Sequence, residues 1–138
     1  MKKLLFAVFV FLALTGFVNQ DVNILSNKFV SVGYEFINPP QIKTWSPSSR
    51  TINADEGQSA KMEITFSSGN DPDARIEVFK VGKPLGVSSN YQMTTNGDRF
   101  QLTILDIKSG DSGTYTIRVS NKAGTVSINF TLTVNSNS

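Results

Sequence analysis

Carboxylates come first among the residues of this chain that could do chemistry. Asp71 and Asp73 flank Pro72, with Asp55 and Glu56 as further oxygen donors, which is the raw material of a calcium site. Calcium takes six to eight oxygens, so a single short pair around a proline reads first as a polar turn. Asp106 and Asp111 make a second pair, but a glycosidase couple must stand roughly 5–9 Å apart across a cleft. Serine and threonine are abundant, yet the 138 residues include no His and no Cys. Without His there is no triad base and no imidazole ligand. Without Cys there is no thiolate nucleophile, no Cys-ligated zinc or iron–sulfur cluster, and no disulfide. No G-x-S-x-G elbow is present to activate a serine. Catalysis is not expected, and no residue is assigned to a catalytic, cofactor or metal site. Two other chemistries survive. Asn129-Phe130-Thr131 is the sole N-x-S/T sequon and a candidate glycosylation site. Phe79 and Arg118 are of the types that anchor protein interfaces.

The elements that must position these residues begin after a distinct leader. Lys2 and Lys3 precede an unbroken apolar run from Leu4 to Leu14, followed by the small residues Thr15 and Gly16. This is the grammar of a secretory signal peptide over residues 1–19, with cleavage between about 15 and 21. Even carried on to Val18, the stretch is shorter than the about 20 residues that a membrane span needs. The two leader lysines account for the formal net charge of +2, so the remaining chain is neutral. Its lysines and arginines are scattered among acids, with no basic stripe for nucleic acid. The end, residues 135–138, is polar, and no membrane span is expected after signal cleavage. A secreted, extracellular product follows.

From Gln41 to Val134 apolar residues recur with a period near two, interrupted by turn residues. That pattern belongs to antiparallel sandwiches and barrels. Ala60-Met62-Ile64-Phe66, Ile76-Val78, Phe100-Leu102-Ile104, Tyr115-Ile117-Val119 and Val126-Ile128-Phe130-Leu132-Val134 each alternate with polar neighbours. Asn96-Gly97, Lys122-Ala123-Gly124 and the stretch around Gly82 and Pro84 supply hairpin chemistry. No stretch after the leader has a helical period. The expected fold is all-β, with seven to nine strands. Asn129 then faces outward and Phe130 inward. Residues 20–38 form an N-terminal extension, where Val30, Val32, Tyr34 and Phe36 alternate before Pro39-Pro40 and allow one extra strand.

Asp111-Ser-Gly113-Thr-Tyr115-Thr-Ile117 resembles the D-x-G-x-Y-x-C signature of immunoglobulin domains. Glu56-Gly57-Gln-Ser-Ala60 resembles the entry to strand B, Phe100 to Ile104 resembles strand E, and Asn121-Lys-Ala-Gly124 resembles the turn between strands F and G. Together these segments, spread over residues 39–134, resemble the intermediate (I-set) class. The resemblance implies an immunoglobulin-like Greek-key β-sandwich. The first cysteine position falls on Ile64, the core tryptophan on Val78 and the second cysteine on Ile117, so an aliphatic cluster stands where the family has its disulfide. That bond would close about 54 residues, worth about 4 kcal/mol on a loop-entropy basis. Burying each isoleucine returns about 1.5–3 kcal/mol, so the bond is dispensable.

The resemblance also assigns structural roles. Tyr115 takes the place of the tyrosine corner, Asp111 matches a structural position, and Gly113 serves the tight turn between strands E and F. Strands C, F and G share a sheet in this family, which turns Arg75, Glu77, Phe79, Thr116, Arg118, Ser127 and Asn129 outward. Phe79, with Glu77, Arg75 and Arg118, is the candidate face for a protein partner, cell-surface or extracellular. The expected role is protein–protein binding in adhesion, recognition or extracellular signalling. The alternatives are a structural domain of the muscle-filament kind and a bacterial surface domain.

Overall fold

The computed structural model describes residues 36–136. The expected signal peptide, the alternating residues of the extension up to Glu35, and Asn137-Ser138 lie outside the described residues. The chain divides at Phe36/Ile37 into two units, and the second carries the sandwich.

Nine strands form it: β1 (Gln41–Ser46), β2 (Thr51–Asp55), β3 (Ala60–Ser67), β4 (Arg75–Lys80), β5 (Lys83–Pro84), β6 (Tyr91–Asn96), β7 (Arg99–Ile104), β8 (Gly113–Asn121) and β9 (Gly124–Asn135). One sheet has the order β1-β3-β7-β6 and the other β2-β9-β8-β4-β5. The pairings are antiparallel except one. β2 runs parallel to β9, from Thr51↔Thr131 to Asp55↔Asn135. The chain thus leaves the first sheet after β1, turns at Pro47–Arg50 and enters the second, so the all-antiparallel expectation misses this pair.

Strand alternation makes the core. Ala60, Met62, Ile64 and Phe66 of β3 face Tyr115, Ile117 and Val119 of β8 and Ile128, Phe130 and Leu132 of β9 in one buried cluster. Ile64 and Ile117 are wholly buried and Val78 nearly so, and Val78 is the cross-strand neighbour of Ile117. Aliphatic side chains therefore occupy the centre where a sulfur bridge would otherwise sit.

Polar networks close the two ends. At one, Asn121 Nδ2 donates to the Asn38 carbonyl at 2.6 Å and the Ser68 carbonyl at 2.9 Å. Its Oδ1 accepts the N–H groups of Ala123 and Gly124. Asp71, buried beside it, accepts from the N–H groups of Asp73 at 2.9 Å and Lys122 at 3.1 Å. Gly69, at φ +69°, lies so close to Asn38 that a β-carbon would sit 1.9 Å from its carbonyl oxygen. At the other end the Tyr115 hydroxyl donates to the Asp111 carbonyl at 2.6 Å. The Asp111 carboxylate accepts from Lys108 N–H at 2.8 Å, and Glu56 accepts from Ser109 N–H at 3.1 Å. Gly113 has φ +149°, and a β-carbon there would press on Val81 at 3.2 Å.

Candidate partner-binding face

The outer face of the second sheet is assembled by register. Glu77 stands opposite Arg118, and Phe79 opposite Thr116. On the far side of β8, Arg118 stands opposite Ser127, and Thr116 opposite Asn129. Period-two geometry turns all of these outward, and the side chains meet as that arrangement allows. Arg118 Nη2 donates to Glu77 Oε1 at 3.1 Å. Its guanidinium carbon lies 4.2 Å from the centroid of the Phe79 ring, a cation–π contact. Arg118 Nε is buried there without a hydrogen-bond partner. The result is a preformed plate of one aromatic, one cation and one carboxylate, with Arg75 exposed at its border.

Phe79 points outward and lies half-buried beneath Arg118. Among the aromatics of the strands the exposed one is Trp45 on β1, 43% exposed, whose indole N–H donates to the Ser48 carbonyl at 3.2 Å. Sequence reasoning passed over it. The signal was available, because the family's core tryptophan position holds Val78, which leaves the lone Trp without an interior place.

Asn129 is exposed, and its carbonyl oxygen accepts from the Thr116 hydroxyl at 2.7 Å. That bond leaves Nδ2, the atom a glycan would take, out of the contact. The carboxylates weighed for calcium serve the backbone instead. Both Asp71 oxygens hold N–H groups, which keep its carboxyl below the usual carboxylate range. Asp73 sits 3.8 Å from Lys122 Nζ, and Asp55 accepts from the Asn135 amide. Among the described residues no group of three or more acidic, His or Cys side chains could hold a metal ion. Asp106 pairs with Lys108 at 3.8 Å, while Asp111 is committed to its own turn.

The opposite sheet presents a different face. Gln101 donates to Glu63, which also sits 3.8 Å from Arg99 Nε, and Lys61 is exposed. Here the charges stand without an aromatic beneath them.

Comparison with known proteins agrees with this architecture. A stretch 37% identical over 70 residues occurs in titin of Drosophila melanogaster, covering 51% of this chain and, rounded, 0% of that much longer protein. Among solved structures, the titin M3 domain is 29% identical with a TM-score of 0.62, covering 71% of this chain and 98% of that one. Titin domain M7 is 25% identical with a TM-score of 0.64, covering 74% and 99%. The model of the immunoglobulin I-set domain matches residues 43–134. With its two-sheet order, its Tyr115 corner and that match, the chain belongs to the immunoglobulin I-set domain family.

Proposed function

We propose that the chain works by presenting the outer face of β4, β8 and β9 to a protein partner, as a binding and structural module without catalytic activity. The Arg118–Phe79–Glu77 plate carries this reading. Aromatic and arginine residues dominate interface energetics, and side chains already held by neighbours lose less freedom on docking. The opposite sheet lacks such a plate, and its hydrated charges make poorer anchors.

Two settings follow from different observations. The likeness to titin supports a structural module of the muscle-filament kind, acting inside the cell through lateral contacts. The leader over residues 1–19 supports export, with an extracellular partner and a glycan on Asn129 that borders the face and leaves Phe79 clear. The mass of the mature N-terminus separates them. A start between about residues 15 and 21 supports secretion, and retained Met1 supports the filament reading.

The face is tested by capturing a partner with the intact protein, then titrating variants against it. Phe79→Ala should weaken binding by about 1–2 kcal/mol or more, while Lys61→Ala on the other sheet leaves affinity unchanged. Equal affinities for Phe79→Ala and wild type would remove the assignment.

A further inference from the structure

Sheet edges expose unpaired main-chain groups, and folded proteins usually guard them with charge, proline, bulges or short strands. Of the four sheet edges among the described residues, three are guarded. β1 follows Pro39-Pro40 and carries Lys43 at a register shift between Ile42 and Thr44. β5 has two residues, one of them Pro84. On β2 the Thr51 N–H is taken by Ser49 Oγ and the Asp55 N–H by Gln58 Oε1.

β6 is the exception. Its six residues, Tyr-Gln-Met-Thr-Thr-Asn, contain no charge and no proline. Its register with β7 runs unbroken from Tyr91↔Ile104 to Asn96↔Arg99. Just before it, the Asn90 carbonyl accepts Leu105 N–H at 2.8 Å. Alternation along an antiparallel ladder then turns the main-chain groups of Gln92, Thr94 and Asn96 toward β7. Those of Met93 and Thr95, with the Tyr91 carbonyl, point out of the sheet. Met93 stands opposite wholly buried Leu102, so its side chain is on the core side of the sheet, yet at this rim it is 44% exposed.

We infer that β6 is a self-pairing edge, and that a second copy of this chain docks on it antiparallel across a two-fold axis at Met93. The two Met93 residues then exchange N–H···O=C bonds, and each Thr95 N–H reaches the partner's Tyr91 carbonyl. Inward residues meet inward residues in this register, so Met93 packs on Met93 and the two cores join along one seam. Charge selects the direction. Asp98 and Arg99 follow the end of β6, and antiparallel docking lays that end against the uncharged Ser88-Ser89-Asn90 of the other copy. Parallel docking would set like charges side by side.

The chain has no cysteine, so Met93→Cys introduces a single thiol at the axis. A hydrogen-bonded antiparallel pair brings the two α-carbons to about 5.5 Å, within the span of a disulfide. Mild oxidation of the full-length Met93→Cys protein should give linked dimers at least tenfold faster than Thr133→Cys on the other sheet. Sedimentation of the wild type should show a concentration-dependent dimer. Met93→Lys, which sets two cations face to face, and Met93→Pro, which deletes the outward N–H without touching the bonds to β7, should each weaken it tenfold or more. Far-UV circular dichroism checks that both variants keep the sandwich. A wild type that stays monomeric at every concentration, whether the edge is bare or covered by residues 20–35 of its own chain, overturns the inference. So does a Met93→Cys chain that links no faster than the control.

Discussion

The two ends of the sandwich solve one problem by different means. Both must hold loops over the mouth of an apolar core, where unpaired backbone groups are costly. The Tyr115 end does it within one short segment: the phenol reaches a carbonyl four residues back, and Asp111 holds a neighbour three residues away. The Asn121 end does it with one amide that ties together three segments distant in the chain, through Asn38, Ser68 and its own turn. Damage at the first end should stay local. Damage at the second should loosen every loop that meets there.

Both ends rest on the core, and its removal should have the largest effect. Ile117→Ala, in the fully buried centre, should cost about 2–5 kcal/mol in chemical denaturation. A loss under about 0.5 kcal/mol would mean that the ends, and not the core, hold the fold. Asn121→Ala strips partners from two carbonyls and two N–H groups at once and should cost about 2–3 kcal/mol. Hydrogen exchange should then quicken in residues 68–74 as well as 121–124. Exchange confined to 121–124 would break the contrast between the ends. Tyr115→Phe removes one donor and should cost about 1–1.5 kcal/mol, with faster exchange limited to residues 108–113.

The smallest effect is the one that pH reveals. Backbone N–H groups of Asp73 and Lys122 hold the Asp71 carboxyl below its ordinary value. A lowered folded-state value stabilises the protein above the unfolded value and is lost as pH falls through the folded one. The Asn121 end should therefore weaken in acid, below about pH 4, and Asp71→Asn should flatten that dependence. Burial, with Tyr91 and Asp111 nearby, pushes the Tyr115 phenol up. Its contribution is complete below the unfolded value of about 10 and fades only at higher pH. Equal acid sensitivity in wild type and Asp71→Asn would assign the titration elsewhere.

How far these features could be read from residues alone follows the same division. β3, β4, β7, β8 and β9 alternate strongly because one face of each is buried, and the D-x-G-x-Y segment marks the Tyr115 corner through residues close in sequence. β6 has no such alternation, since Tyr91 is only half-buried and the rest of the strand is exposed. The parallel register of β2 on β9 is set by a change of sheet that no local pattern records. Asn121 was visible as a turn residue, but its reach to Asn38 and Ser68 depends on three loops arriving together. On the outer face, register was enough to bring Phe79 and Arg118 near one another. That Arg118 covers the ring, and that Trp45 is exposed, depends on rotamers and on edge position.

The place of β9 bears on the order in which the molecule can be made. It lies inside its sheet, between β2 and β8, and supplies Ile128, Phe130 and Leu132 to the core. A nascent chain still lacking this strand has β2 unpaired, one edge of β8 bare and a slot open along the interior. Contacts so distant in the chain close slowly, and a sheet left unfilled exposes sticky edges while it waits. The ribosome must therefore release residues up to about Asn135 before the sandwich can shut, and the earlier strands wait for the last one.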